Sequence, residues 1–267
     1  MGTTALLALD IDGVIRDVGG SYRRALADTV EHFTQADRPT PAEIDRLKAE
    51  GQWNNDWEAS QELIYRYFEQ QGRSRDQVEL DYDMLVDFFQ RRYRGENLAD
   101  PSQWNGYISH EPLLVDPAYF AALTHSDITW GFFSGATPGS AHYVLERRLG
   151  LSDPVLVAMD DAPGKPDPTG LFLAVQQLEQ RDRLPANLPV IYAGDTVADM
   201  HTIVRARQQA PRRMWLAVGI LPPHAQITPD YAADYAAKLT AAGATTVLPG
   251  LTALTGAVIQ TLVSTAS

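Results

Sequence analysis

The sequence predicts an α/β fold: a doubly wound, Rossmann-like parallel sheet carrying an inserted α-helical bundle. Three observations predict it. The run Ala-Leu-Leu-Ala-Leu over 5–9 is continuously apolar rather than alternating, as a strand covered on both faces requires, and runs of the same kind recur over 128–133, 155–159 and 190–193. Helical patterns over about 138–149, 168–181 and 197–209 alternate with those runs, which is the order of a βα-repeat. The stretch from Tyr22 to Arg94 carries amphipathic patterns near 22–35, 41–50, 57–71 and 76–93 and no strand.

Each element follows from local chemistry. A fifth, weaker strand is expected over 214–218, and a last helix over about 250–263 covers the sheet. Pro39 and Pro41 separate the first two helices of the bundle, Gly51 ends the second, and Gly72 ends the third. Because one strand precedes the bundle and the others follow it, the bundle is an insertion. The expected domains are an α/β core of 1–18 and 106–267 and a helical domain of 19–105, hinged at Gly19-Gly20 and between Gly95 and Gly106.

Composition narrows the function. The chain has 267 residues, 45% hydrophobic, enough for one large domain or two unequal ones. It contains no cysteine, so disulfides, thiolate metal sites and a Cys nucleophile are excluded. A formal charge of -12 disfavours nucleic acid and anionic membranes as partners, while a small phosphate ester stays accessible if local donors and a bound cation reverse the field. The Met-Gly-Thr-Thr start has no basic region, and no stretch approaches the ~20 apolar residues of a membrane span, so a cytoplasmic protein, monomer or homodimer, is expected.

In parallel sheets, ligands gather at the carboxyl ends of strands, and four such ends here are chemically loaded. After the first run comes Asp10-Ile11-Asp12-Gly13-Val14-Ile15-Arg16-Asp17, and after the second Ser134-Gly135-Ala136-Thr137. After the third comes Gly164-Lys165-Pro166-Asp167-Pro168, and after the fourth Gly194-Asp195-Thr196-Val197-Ala198-Asp199. Taken singly, these Asp, Ser and Gly residues are ordinary turn and capping residues. Four caps have no reason to fall at four strand ends in one fixed order.

In these four ordered motifs the chain resembles the haloacid dehalogenase superfamily, and with the insertion between the first two motifs it is similar to the subfamily with an α-helical cap. That subfamily includes phosphoglycolate phosphatases and β-phosphoglucomutases. The resemblance implies Asp10 as nucleophile, forming an aspartyl-phosphate, and Asp12 as the acid and base that protonates the leaving oxygen and later activates water. It implies Mg²⁺, held by the side chains of Asp10 and Asp195 and the carbonyl of Asp12. Asp199 follows one helical turn after Asp195, and either contact with the metal or pairing with Lys165 suits it. Ser134, Gly135 and neighbouring amides would hold the phosphoryl group, Lys165 would add a point charge, and Gly13 would let the backbone approach the phosphate. Asp17 reads equally as turn or functional residue.

An acid at Asp12 argues against the dehalogenase branch, whose members lack one there, and against the phosphonate branch, which has a small residue there and a cap lysine. The one lysine of the predicted cap, Lys48, reads as surface charge. The expected reaction is hydrolysis of a small phosphorylated metabolite, a sugar phosphate or similar. The alternatives are a phosphomutase of the β-phosphoglucomutase type and a non-catalytic phosphometabolite-binding module. Substrate contact is expected from the loop holding Trp53, Asn54, Asn55 and Trp57, with Asn55 or Asp56 capping the next helix as the competing assignment. Arg23 would reach a second anionic group, against a solvated helix face as the bland alternative, and His110 and Glu111 follow the hinge.

Overall fold

The computed structural model describes residues 2–53 and 55–266. The chain divides into two compact units, one made of Met1–Asp17 with Leu113–Ser267 and the other of Val18–Pro112.

The first unit is built on six parallel strands: β1 (Ala5–Leu9), β2 (Ile128–Phe133), β3 (Leu156–Val157), β4 (Val190–Gly194), β5 (Trp215–Ile220) and β6 (Thr246–Leu248). Their order is β3-β2-β1-β4-β5-β6, so the chain reverses its direction of travel across the sheet beside β1. The second unit holds α1 (Tyr22–Thr34), α2 (Pro41–Lys48), α3 (Asp56–Gln70) and α4 (Tyr82–Arg94). The first unit adds α5 (Pro117–His125), α6 (Pro138–His142, running on into a π-helical turn over Tyr143–Arg148), α7 (Thr169–Asp182), α8 (Val197–Gln209), α9 (Pro229–Ala241) and α10 (Gly256–Ala266).

The continuous apolar run of β1 follows from two covered faces. Ala5, Leu7 and Leu9 join one cluster with Phe120, Leu123, Val144, Leu145 and Ile259, under α5, α6 and α10. Leu6 and Ala8 join the other with Leu171, Leu178 and Ile203, under α7 and α8. Each fully buried leucine contributes about 1.5–3 kcal/mol, so a polar residue on either face of β1 is costly. That is why polar chemistry begins only at Asp10, where the strand ends.

In the second unit, α1 packs on α3 and α4, and Leu26, Val30, Ile64, Leu85 and Phe89 on these helices are fully buried. Tyr22 lies against Phe89 and Tyr93, with ring centroids 5.3 and 4.0 Å away. Local chemistry starts each helix: Thr40 and Glu43 form a capping box on α2, Asn55 Oδ1 accepts from Trp57 N–H at 2.9 Å to start α3, and Asp81 Oδ1 caps α4. The helical pattern read over 76–93 is shorter in the structure. Residues 75–77 form a 3-10 turn, 78–80 carry the chain on outside any helix, and the helix proper begins where Asp81 supplies a cap. The last helix likewise begins later, at Gly256, after a 3-10 turn over Leu251–Ala253. Three elements fell outside the sequence expectation: α5, α9 and β6. No helix among the described residues is long and apolar enough to cross a membrane.

Candidate active site

The strand register assembles the site. Leu9 stands beside Phe132 on β2 and Ala193 on β4, so the residues that follow each strand emerge together at one edge of the sheet. Asp10 N–H donates to Ala193 C=O at 2.9 Å, and Ser134 N–H donates to Val157 C=O at 3.0 Å. Asp10, Ser134 and Asp195 therefore occupy the carboxyl ends of three adjacent strands, where the sheet's connectivity reverses.

Lys165 is buried, and its ammonium lies 2.9 Å from Asp10 Oδ2 and 2.7 Å from Asp199 Oδ1. Asp10 Oδ1 accepts from Ile11 N–H at 2.7 Å, which fixes the carboxylate plane. Asp10, Asp195 and Asp199 each place a carboxylate oxygen within 4.8 Å of the others, in buried positions. Such a set of hard oxygen donors suits a divalent cation of the magnesium type.

The three carboxylates differ in how they are satisfied. Asp199 Oδ1 is ion-paired with Lys165 and accepts, at 2.8 Å, from the hydroxyl of Tyr192; its Oδ2 accepts from the N–H of Thr196 at 2.9 Å and its hydroxyl at 2.7 Å. Three hydrogen bonds and the ion pair thus occupy both of its oxygens. Asp195, by contrast, makes no side-chain hydrogen bond or ion pair among the described residues, although it is only 6% exposed.

These differences set the charges. Burial pushes Asp10 up to about 6, with Lys165 pulling it back and Asp199 adding to the rise. Burial, then the charges of Asp199 and Asp10, raise Asp195 well above the ordinary carboxylate range. Burial also opposes ionisation of Asp199, but Lys165 and the Thr196 donors outweigh it and hold that carboxyl below its usual value. Lys165 is raised: desolvation works against its charge, and the two carboxylates beside it win.

Two glycines make room for this packing. Gly13 has φ +73°, and a Cβ there would sit 2.2 Å from Asp195 Oδ2. The missing side chain of Gly13 thus leaves room for the Asp195 carboxylate. A Cβ on Gly194 would lie 2.3 Å from Asp199 Cγ, so Gly194 lets the capping-box aspartate fold back onto β4.

The other expected residues fall into place as follows. Ser134 is buried, and its hydroxyl oxygen accepts from Ala136 N–H at 3.2 Å, with Gly135 half-buried between them. Asp12 turns its Oδ1 to Arg16. Asp17 is half-buried. In the helical unit, Arg23 is buried and committed to Asp45 and, at 2.9 Å, to Pro41 C=O, which corrects its expected role: an internal ion pair takes the guanidinium that an external anion would need. Asn55 spends its carbonyl oxygen on capping α3, while Trp57 Nε1 is buried without a hydrogen-bond acceptor among the described residues. Asn54 lies outside the described residues. Lys48 pairs with Asp56 at 2.7 Å rather than standing free as surface charge. Glu111 is buried and accepts from Ser21 Oγ, and His110 is exposed.

The sequence reading passed over Tyr192 and gave Gly194 and Thr196, within the fourth motif, no role of their own. Tyr192 had a legible signal, since a hydroxyl inside an otherwise apolar buried strand needs a partner. Its OH lies 3.1 Å from Phe133 C=O as well as 2.8 Å from Asp199. The Thr196-x-x-Asp199 spacing was a readable capping box.

Solved structures share this architecture. A phosphonoacetaldehyde hydrolase-like protein from Oleispira antarctica superposes with a TM-score of 0.69 at 19% identity, covering 98% of this chain and 93% of that one. A family hydrolase from Deinococcus radiodurans with bound phosphate and sodium gives 0.61 at 20% identity, covering 97% and 96%. CbbY from Rhodobacter sphaeroides in complex with phosphate gives 0.61 at 14%, covering 94% and 96%. In sequence, the chain is 28% identical over 219 residues to an imidazoleglycerol-phosphate dehydratase of Phytophthora nicotianae; the match takes in 81% of this chain and 43% of that protein, so the chain spans less than half the length of this curated relative. Residues 4–207 match the family model of haloacid dehalogenase-like hydrolases, and with the sheet order and motif positions described above, the chain belongs to that family.

Proposed function

We propose that this protein is a magnesium-dependent phosphatase that hydrolyses a small phosphate monoester through an aspartyl-phosphate on Asp10. One observation carries the reading: Asp10 and Asp195 crowd together in a buried pocket where Asp199 is already occupied by three hydrogen bonds and the Lys165 ion pair, leaving two acidic oxygens for a cation. Asp10, Asp195 and the carbonyl of Asp12 would hold the metal, and Asp199 serves Lys165 instead. When bound, magnesium would neutralise the phosphoryl oxygens and so lower their repulsion of an incoming carboxylate.

The chain's own groups supply the rest. A carboxylate oxygen of Asp10 bonds to phosphorus while the bond from phosphorus to the ester oxygen breaks, and Asp12 gives that oxygen a proton. Water then attacks the phosphoaspartate, Asp12 takes a proton from it, and the bond between phosphorus and Asp10 breaks to release phosphate. Lys165 keeps a positive charge beside Asp10 throughout, and the Ser134 hydroxyl offers a donor to a phosphoryl oxygen. The phosphonate chemistry suggested by the Oleispira protein's name fits less well: Asp12 is an acid where that branch carries a small residue, and Lys48 is engaged with Asp56.

The test is turnover of a panel of phosphate esters with Mg²⁺ and with EDTA, in wild type and Asp10→Asn. The panel should include a phosphorylated imidazole polyol, because the Phytophthora relative is named for one. Turnover that persists in EDTA or in Asp10→Asn refutes the proposal.

A further inference from the structure

Arg16 is a fully buried arginine that the mechanism above does not use. It sits four residues beyond Asp12 in the loop after β1, and its Nε and Nη2 lie 2.6 and 2.5 Å from the same oxygen, Asp12 Oδ1. Its backbone is pinned from several sides. Arg16 C=O accepts from Gly13 N–H at 2.9 Å, Arg16 N–H donates to Ile11 C=O at 3.2 Å, and the residue bridges to Leu113, next to the bond from Leu114 N–H to Ile15 C=O at 2.8 Å. The guanidinium is therefore delivered from a fixed base.

We propose that Arg16 is a positioning residue for Asp12, holding Oδ1 so that Oδ2 is the atom that gives and takes the proton at the ester oxygen. The inference rests on the reading of Asp12 as the acid and base. A hydrogen bond from Nε and the ion pair with the guanidinium fall on one oxygen, which leaves the carboxyl proton to the other, and they hold a short side chain that is a quarter exposed and would otherwise rotate. Orientation matters in proportion to how much help the leaving group needs. An alkyl alkoxide leaves only with a proton, whereas an aryl oxide leaves nearly unaided.

The experiment compares kcat/KM on an alkyl phosphate, glycerol phosphate, and an aryl phosphate, p-nitrophenyl phosphate, for wild type, Arg16→Met, Arg16→Lys, Asp12→Asn and the double variant Asp12→Asn/Arg16→Met. Arg16→Met should lose roughly 10–100-fold on the alkyl ester, mostly in kcat, and under about 5-fold on the aryl ester, since a placed acid contributes 10²–10⁴-fold. Arg16→Lys should fall between. In the Asp12→Asn background, Arg16→Met should change nothing further, because the two act as one unit. Equal losses on both esters, or losses that add to those of Asp12→Asn, overturn the proposal. Crystal structures of wild type and Arg16→Met decide it independently of turnover: Asp12 should hold one rotamer in the first and spread over several in the second, and an unchanged Asp12 overturns the proposal. Wild type inactive on both esters would sink the phosphatase reading alone, with the Asp12 rotamers still deciding the role of Arg16.

Discussion

Gly13→Ala separates cation binding from folding, because the added methyl meets a group that holds nothing else in place. The residue has φ +73°, where a Cβ costs about 1–2 kcal/mol in backbone energy alone. The methyl would lie 2.2 Å from Asp195 Oδ2 and 2.6 Å from its Cγ, so the carboxylate must retreat by about 1 Å to reach ordinary contact. Asp195 breaks no hydrogen bond in retreating, so the stability cost stays close to the backbone term. At about 2–4 °C per kcal/mol for a protein of this size, the melting temperature should fall by about 2–8 °C. A ligand misplaced by 1 Å should raise the Mg²⁺ concentration for half-maximal phosphatase activity by roughly 10–100-fold. The assay is a magnesium titration of turnover beside thermal melting of the metal-free protein. Gly164→Ala, where an added Cβ meets nothing within 4 Å among the described residues beyond its chain neighbours, should leave both unchanged. Gly13→Ala with wild-type magnesium dependence would refute the placement of Asp195 as a metal ligand.

Three further outcomes follow from the same geometry. Lys165→Met should lower kcat by roughly 10²–10³-fold and destabilise the protein by about 3–5 kcal/mol, since Asp10 and Asp199 lose the cation between them; turnover within tenfold of wild type would remove the role of Lys165. Because burial raises Asp10 from its ordinary 3.8 to about 6, the folded protein binds that proton more tightly than the unfolded chain, so this group's contribution to metal-free stability is present below 3.8 and lost as pH rises through about 6. Magnesium competes with the proton, so its stabilising effect in thermal melts should grow from pH 5 to pH 7; a shift that ignores pH, or survives unchanged in Asp10→Asn, counts against the assignment. Arg23→Met should cost about 3–5 kcal/mol by removing one partner of the buried ion pair with Asp45, while KM on the best ester stays within twofold; a large rise in KM would restore Arg23 to substrate binding.

Much of the sheet and the motif loops was legible because buried parallel strands and their polar ends leave strong local marks: β1, β2, β4 and β5 are runs of apolar residues, and three of them give way to Asp or Ser within two residues of their ends. Elements without such marks escaped. β6 is three half-buried residues, and α9 is rich in alanine with one fully buried side chain, Leu239, so neither shows an apolar stripe. α5 is apolar nearly all round, which hides its period. In the site, the identities of Asp10, Asp12, Lys165, Asp195 and Asp199 were readable, but the division of labour was not. That Asp199 belongs to Lys165 depends on Tyr192, seven residues earlier, and on the missing Cβ of Gly194, relations that exist only once β4 and α8 are packed.

The same division of labour explains how a chain of formal charge -12 would hold a phosphate dianion. Charges beyond about 8 Å are largely screened at physiological salt, so the overall sign matters less than the sum inside the pocket. There, four carboxylates face two cations: Arg16 answers Asp12, Lys165 answers Asp199, and Asp10 and Asp195 remain. One divalent ion cancels both, and with Asp12 carrying the proton that it gives the ester oxygen, the pocket holds one positive charge, that of Arg16, before the substrate arrives. A monovalent ion would leave one of these two carboxylates uncompensated. On this account, replacing Asp195 by Asn should do more than remove a ligand: it should shift the preferred ion from divalent towards monovalent, and a competition titration of Mg²⁺ against Na⁺ by thermal melting reads that shift directly. Unchanged selectivity in Asp195→Asn would mean that the pocket chooses its ion by shape and ligand number rather than by this charge balance.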